Sequence, residues 1–193
     1  MKIGVMALQG AFIEHRRVLE RLGAEAIEVR LPAQLTGLDG VIVPGGESTT
    51  MSRLMAAYGL LQPLRDLARE GLPIMGTCAG MILLAKSVPG FTLPTLGLMD
   101  ITVRRNAFGS QVESFEADLD IAALGPPPVH AVFIRAPLIE EAGAGVEVLG
   151  RLPGTAGAAA VAARQGRLLA VAFHPELTSD SRVHRYFLEM ARS

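Results

Sequence analysis

Three short runs in this chain, "KIGVMAL" (2–8), "DGVIVP" (39–44) and "LPIMG" (72–76), are apolar at nearly every position. A strand with one wet face alternates apolar and polar residues, so a run without alternation is buried on both sides. "AEAIEVR" (24–30) reads as a further strand. Between these runs the spacing changes. Ala11, Phe12, Val18, Leu19 and Leu22 recur at helical intervals and predict a helix over 11–22. Ser48 is expected to N-cap a helix running to about 57, with further helices over 61–70 and 79–86. Strands alternating with helices imply a parallel sheet covered on both faces.

The second half reads differently. "MDITVRRNAFGSQVESFEADL" and "PPPVHAVFIRAP" are extended segments joined by Gly and Pro turns. "GAAAVAARQGRLLAVAFH" predicts two strands turning at Gln165-Gly166, and Val183, Phe187 and Met190 form the core stripe of a last helix over 180–192. No repeat or long linker divides the chain, so residues 1–193 are expected to form one α/β domain. With only 19% charged residues, disorder is not expected. A net charge of −1 with scattered Lys and Arg argues against a nucleic-acid or anionic-membrane surface. No stretch approaches the ~20 apolar residues of a membrane span, and "MKIGVMALQGAFIEH" lacks the longer apolar region of a signal peptide. A single cysteine cannot close an internal disulfide, which fits a reducing compartment; a soluble, cytoplasmic protein is the expectation.

That cysteine, Cys78, stands between Gly76 and Gly80 where a strand gives way to a helix. In open α/β sheets ligands bind at the carboxyl ends of the strands, where Cys78 is placed. G-x-C-x-G is the pattern of a nucleophile elbow, in which small neighbours permit a sharp turn and leave room for substrate. The helix N-terminus favours negative charge on the sulfur, and the Ala79 amide is placed to bind an oxyanion. Against this stands the ordinary role of a lone cysteine as a small buried hydrophobe. A base decides between them. His15 and His184 fall on helices and read as packed or solvated, and His130 has no acidic neighbour in sequence. His174 ends an apolar strand as His-Pro-Glu, and Pro175 holds it extended. Residues i and i+2 of an extended chain share a face, so Glu176 can orient the His174 imidazole. Cys78, His174 and Glu176 make a nucleophile, base and orienter. In "VIVPGGEST", Gly45 and Gly46 free the backbone to approach a ligand and offer a second oxyanion donor; a plain strand-to-helix turn explains them equally. Nothing has metal-ligand spacing or a nucleotide-binding glycine motif. A stand-alone cysteine hydrolase and a non-catalytic subunit that keeps the fold remain alternatives.

"PGGEST", "GTCAGM" and "HPEL", in that order, resemble class I glutamine amidotransferases, and "LQGAF" (8–12), "RRNAFG" (104–109) and "FIRAP" (133–137) narrow the resemblance to the glutaminase subunits of pyridoxal 5'-phosphate synthases. It covers essentially the whole chain. The resemblance implies a three-layer, flavodoxin-like α/β fold with a mostly parallel sheet, and hydrolysis of L-glutamine to glutamate and ammonia through a thioester, with no cofactor. It further implies that the ammonia passes to a (β/α)₈-barrel synthase subunit that makes pyridoxal phosphate (vitamin B6). By it, Cys78 is the nucleophile, His174 the base and Glu176 the orienter; Gly46, Glu47, Ser48, Arg105, Ile134 and Arg135 match glutamine-binding positions. Gln9 matches a position near the partner interface. Two arginines suit a free amino acid, whose carboxylate a guanidinium grips as a fork. One departure is Ser110, where the family pattern leads one to expect a second basic residue. One further expectation is that the isolated chain is a poor glutaminase activated by its partner: ammonia released without an acceptor is wasted, and Gly45-Gly46 can flip a peptide to complete the oxyanion hole on docking.

Overall fold

The chain starts with β1 (Lys2–Met6), α1 (Phe12–Arg21), β2 (Glu25–Val29), β3 (Gly40–Val43), α2 (Ser48–Ala57), α3 (Leu61–Arg69), β4 (Ile74–Thr77) and α4 (Ala79–Leu84). It continues with β5 (Ala85–Ser87), β6 (Met99–Arg104), β7 (Ser114–Leu119), β8 (Val129–Ile134), β9 (Leu138–Ala142) and β10 (Glu147–Arg151). The last elements are β11 (Ala160–Gln165), β12 (Leu168–Val171) and α5 (Arg182–Arg192). These come from a computed structural model, which describes residues 1–107, 114–154 and 159–192. Phe108, Gly109 and Ser110 of the "RRNAFGSQ" motif lie outside the described residues.

The main sheet has the order β2-β1-β3-β4-β12-β11-β9-β6-β5, with β10 paired to β11. Every pairing from β2 to β12 is parallel, while β12–β11, β11–β9 and β9–β6 are antiparallel. The sheet is therefore parallel where the short apolar runs of the first half lie and mixed beyond β12, with β5 and β6 again parallel. β7 and β8 form a separate two-stranded ribbon. From β1 the chain steps one way through α1 to β2, and from β3 the other way through α2 and α3 to β4. Right-handed crossovers put these helices on opposite faces. Side-chain contacts agree: α1 meets α5 through His15 and His184, and α4 packs against α2. The loops after β1 and β3 consequently diverge from one point of the sheet, the place where open α/β sheets bind ligands.

β3 and β4 are buried at every residue, as runs without alternation require. Phe133, Phe173 and Phe187 are fully buried, and each such ring contributes roughly 1.5–3 kcal/mol by leaving water. The predicted α5 stripe is buried at Val183, Phe187 and Met190. Three local readings need correction. The N-cap of α2 is Glu47, whose carboxylate accepts from the Thr49 and Thr50 amides at 2.9 and 2.7 Å. A Ser hydroxyl offers one oxygen, whereas the longer carboxylate folds back over two free amides, and Ser48 becomes the first helical residue. The helix expected over 79–86 stops at Leu84, because the next residues pair as β5 with β6. β9 and β10 were not legible: "LIEEA" and "EVLGR" show no sustained alternation, and cross-strand pairing supplies what the pattern lacks.

Close approach of backbones fixes the glycines beside Cys78. A Cβ on Gly80 would run into the Val43 carbonyl, and one on Gly76 would lie 2.5 Å from the Gly80 carbonyl oxygen. Gly80→Ala is expected to lower stability by about 1–3 kcal/mol, the range for overpacking a tight core, read as a fall in urea midpoint at unchanged m-value. A midpoint equal to wild type would show that the β3–α4 contact is not tight.

Candidate active site

Cys78 is the junction of β4 and α4, and its backbone sits at φ 48°, ψ −105°, a region that side chains rarely adopt. Its amide donates to the Val171 carbonyl at 2.8 Å, and its carbonyl accepts from the Met81 amide at 3.1 Å. These bonds hold the turn from both sides and leave the sulfur facing a cavity of about 290 Å³. The thiol lies 3.7 Å from the Ile134 carbonyl oxygen. The Ala79 amide belongs to the first turn of α4, where a helix leaves its N–H groups without intrahelical acceptors.

His174 lies just past the end of β12, with its amide bonded to the Val132 carbonyl at 2.8 Å. Its imidazole shares the cavity wall with Cys78 and donates from Nδ1 to Glu176 Oε1 at 2.7 Å on the other side. The pairing of His174 and Glu176 was expected from strand alternation, but its origin differs. Pro175–Leu177 is a 3₁₀ turn with Pro at its first position, and the turn folds the carboxylate back onto the ring. Burial alone would pull the His174 pKa down, but the hydrogen bonds to Cys78 and Glu176, with their charges, outweigh it and push it up to about 10. The imidazole therefore carries its proton at neutral pH, ready to donate.

The cavity is lined by Gln9, Gly46, Glu47, Ser48, Cys78, Ala79, Ile82, Arg105, Asn106, Ile134, Arg135 and His174. Every predicted site residue is thus at the cavity except Glu176, which stands behind His174. Gly45 and Gly46 are glycine for room rather than for backbone freedom. Neither has positive φ, but a Cβ on Gly45 would strike His174 Cε1, and one on Gly46 would strike Gln9 Oε1. The Gly45 carbonyl accepts from the Ala11 amide at 3.0 Å, and Gln9 Oε1 accepts from the Glu47 amide at 2.7 Å. Gln9, expected only near a partner interface, also ties the loop after β1 to the loop after β3. Arg105 lies over the Phe91 ring, 4.9 Å from its centroid, and 4.0 Å from the Glu47 carboxylate. Arg135 has φ 43° and Asn106 φ 48°, so two strained residues bring the arginine-bearing loops to the rim.

His130 lies elsewhere, on the β7–β8 ribbon, bonded to Asp118 and Glu116 at 2.9 Å each. Its acidic neighbours come from cross-strand register, which sequence adjacency hides. His15 and His184, read as packed or solvated, are fully buried behind the site together with Thr77. A signal existed: His15 shares its helical stripe with Val18 and Leu19, and His184 with Phe187 and Leu188. Asn106 and Ile82 were missed with no comparable signal. Among the described residues no group of three His, Cys, Asp or Glu is placed to hold a metal ion, and no helix is long and apolar enough to cross a membrane.

Residues 5–193 match the model of the SNO glutamine amidotransferase family. The chain belongs to the SNO glutamine amidotransferase family. It is 61% identical over 189 residues to the pyridoxal 5'-phosphate synthase subunit PdxT of Pelotomaculum thermopropionicum, covering 98% of this chain and 94% of that protein. It is 57% identical over 196 residues to the PdxT of Dehalococcoides mccartyi, covering 100% and 98%. A crystal structure of a glutamine amidotransferase superposes with a TM-score of 0.93 at 53% identity, covering 99% of each chain. The fold described above is thus that of a glutamine amidotransferase.

The site's ionisable groups set the pH range of stability. His184 is held down to about 4 by burial, helped by the Arg21 charge, so below its ordinary value of 6.5 the unfolded chain binds the extra proton and stability falls. His15 is lowered for the same first reason and acts with the same sign. The raised His174 contributes stability in full below 6.5 and loses it as pH climbs to about 10. Glu47 adds a loss as pH drops from 4.5 to about 2: burial alone would raise its pKa, but the Thr49 and Thr50 amides outweigh that. Urea midpoints across pH 4–10 should peak near 6.5; a midpoint rising steadily to pH 9 would contradict this arrangement.

Proposed function

We propose that the chain is the glutaminase subunit of a pyridoxal 5'-phosphate synthase and that Cys78, His174 and Glu176 are its catalytic triad. The observation that carries the reading is Cys78 held on a strained elbow, at one cavity with an imidazole that Glu176 orients at 2.7 Å. Cys78 gives its thiol proton to His174, and the resulting thiolate attacks the side-chain amide carbon of L-glutamine, whose carbonyl oxygen takes up negative charge. The Ala79 amide and a Gly46 amide receive that charge, each such donor being worth about 2.7–4 kcal/mol. His174 gives its proton to the amide nitrogen, the C–N bond breaks and ammonia leaves a thioester. His174 then takes a proton from water, whose oxygen attacks the thioester; the C–S bond breaks and glutamate is released.

The substrate's size and charge fit the cavity. Arg105 and Arg135 offer guanidinium forks to the α-carboxylate. Glu47 and Ser48 give the rim acceptors for the α-ammonium, with Ile134 as an apolar wall. No cofactor enters these steps. The ammonia is consumed by a synthase partner, a (β/α)₈ barrel docking near Gln9, with residues 1–193 acting as one glutaminase domain in the cytoplasm. The high identity to two PdxT subunits supports this reading.

The test is glutamate and ammonia release from L-glutamine by the chain alone and with saturating synthase subunit. Turnover should rise with the partner, mainly in kcat, as a completed oxyanion hole would give. Cys78→Ala should abolish turnover while the variant still folds and binds the partner, and an electrophilic glutamine analogue should label wild type at Cys78 alone. Glu176→Gln should lose less activity than His174→Asn, because it removes orientation while the base remains. Turnover by Cys78→Ala would overturn the mechanism.

A further inference from the structure

The triad does not end at Glu176. Its Oε1 is bonded to His174, but Oε2 is buried and has no conventional hydrogen bond among the described residues. A carboxylate oxygen sealed from water needs a donor. The nearest one is His15 Nε2 of α1, at 3.3 Å, and both side chains are fully buried. The same nitrogen lies 3.1 Å from Thr77 Oγ1, the residue before the nucleophile. His15 Nδ1 lies 2.9 Å from His184 Nε2 of α5.

Proton positions follow from this arrangement. His184 Nδ1 is buried without a partner, and a buried N–H left unbonded costs more than a bare ring nitrogen. The His184 proton therefore sits on Nε2 and is donated to His15 Nδ1. A neutral His15, its Nδ1 accepting, must carry its own proton on Nε2, facing Glu176 and Thr77. Burial keeps both rings neutral. Contacts then run from His184 to His15, and from His15 Nε2 to Thr77 at 3.1 Å and the Glu176 carboxylate at 3.3 Å, with His174 donating to Glu176 from the other side.

We infer that His15 is a positioning residue of the glutaminase reaction: its Nε2–H holds the outer oxygen of Glu176, fixing the carboxylate plane that orients His174 toward Cys78. This rests on the proposed glutaminase function. His15 also ties the elbow to the triad, since Thr77 and Glu176 share one imidazole. His184 sets its tautomer. A purely structural role would be met by any well-packed side chain of similar volume; the inferred role requires a donor at the Nε2 position.

The experiment compares His15→Leu, His15→Gln and His15→Asn in the complex with the synthase subunit. Active sites are counted by labelling with an electrophilic glutamine analogue, so that kcat is expressed per competent Cys78. A Gln amide reaches the Nε2 position, whereas Asn reaches only Nδ1. His15→Leu and His15→Asn should lose about 10- to 100-fold in kcat, the range typical for outer partners of functional histidines, with KM within about twofold. His15→Gln should recover most of the loss. If the Leu variant does not fold, the Gln-to-Asn comparison carries the test. A kcat equal to wild type in Leu or Asn, or Gln no better than Asn, overturns the inference. Wild type lacking glutaminase activity in the same assay would instead overturn the proposed function.

Discussion

The backbone of one residue organises the site. Cys78 sits at φ 48°, a conformation that costs a non-glycine residue about 1–3 kcal/mol. It persists because the surroundings permit no other path. Its amide is held by Val171 of β12, and β4 pairs with β12 in register through Thr77. Gly76 and Gly80 let α4 start against β3 with almost no gap. The strained turn brings the sulfur to the cavity, where the segments after β1, β3, β6, β8 and β12 also arrive. The same residue's carbonyl accepts from Met81, so helix formation itself helps hold the strain.

Three histidines of one chemical type show how environment divides their roles. His174 is buried beside a carboxylate and a thiol and is pushed up, while His15 and His184 are buried beside each other and pushed down. Burial acts on all three in the same direction. The sign is decided by Cys78 and Glu176, which both act on His174, whereas Glu176 makes only a longer contact with His15. A second charged imidazole beside the first would repel it, and the His174 charge is one of the causes lowering His15. One buried carboxylate thus supports one imidazolium, the one beside the thiol. Such an ion pair adds little net stability after its desolvation is counted. Its value lies in where it leaves the proton.

Much of this was legible in the sequence, and the limits have physical causes. The apolar runs announced the parallel half of the sheet, because burial on both faces leaves no choice of residue. G-T-C-A-G and H-P-E pointed to Cys78, His174 and Glu176 as neighbours, because an elbow and a proline turn demand particular side chains locally. β9 and β10 were hidden, since antiparallel strands with polar faces depend on partners distant in the chain. Glu47 was read as a glutamine-binding position and not as the cap of α2, because capping depends on how far a side chain can fold back. The buried His15–His184 contact spans 169 positions, and only the packing of α1 against α5 creates it. The strand-alternation argument reached the right pair, His174 and Glu176, through the wrong geometry. Proline restrains its own φ as well as its predecessor, and here its own effect starts the 3₁₀ turn.

The loop that would complete an oxyanion hole is tied to the first strand and not to the elbow. The Gly45 carbonyl bonds to Ala11, the Glu47 amide to Gln9, and a Cβ on Gly10 would collide with the Gly45 carbonyl. Any displacement of residues 9–11 must therefore move the Gly45-Gly46 backbone, while Cys78 and His174 keep their own separate anchors. Under the proposed function, this separation lets a partner at Gln9 adjust the oxyanion donors without disturbing the nucleophile. It does so only by binding one arrangement of the loop more tightly than the other; equal affinity for both would shift nothing. A tenfold gain in the competent population requires about 1.4 kcal/mol of such preference, comparable to one hydrogen bond exchanged at Gln9. The lever is small because the loop is held by a few backbone and amide bonds, whereas the triad is buried in the core.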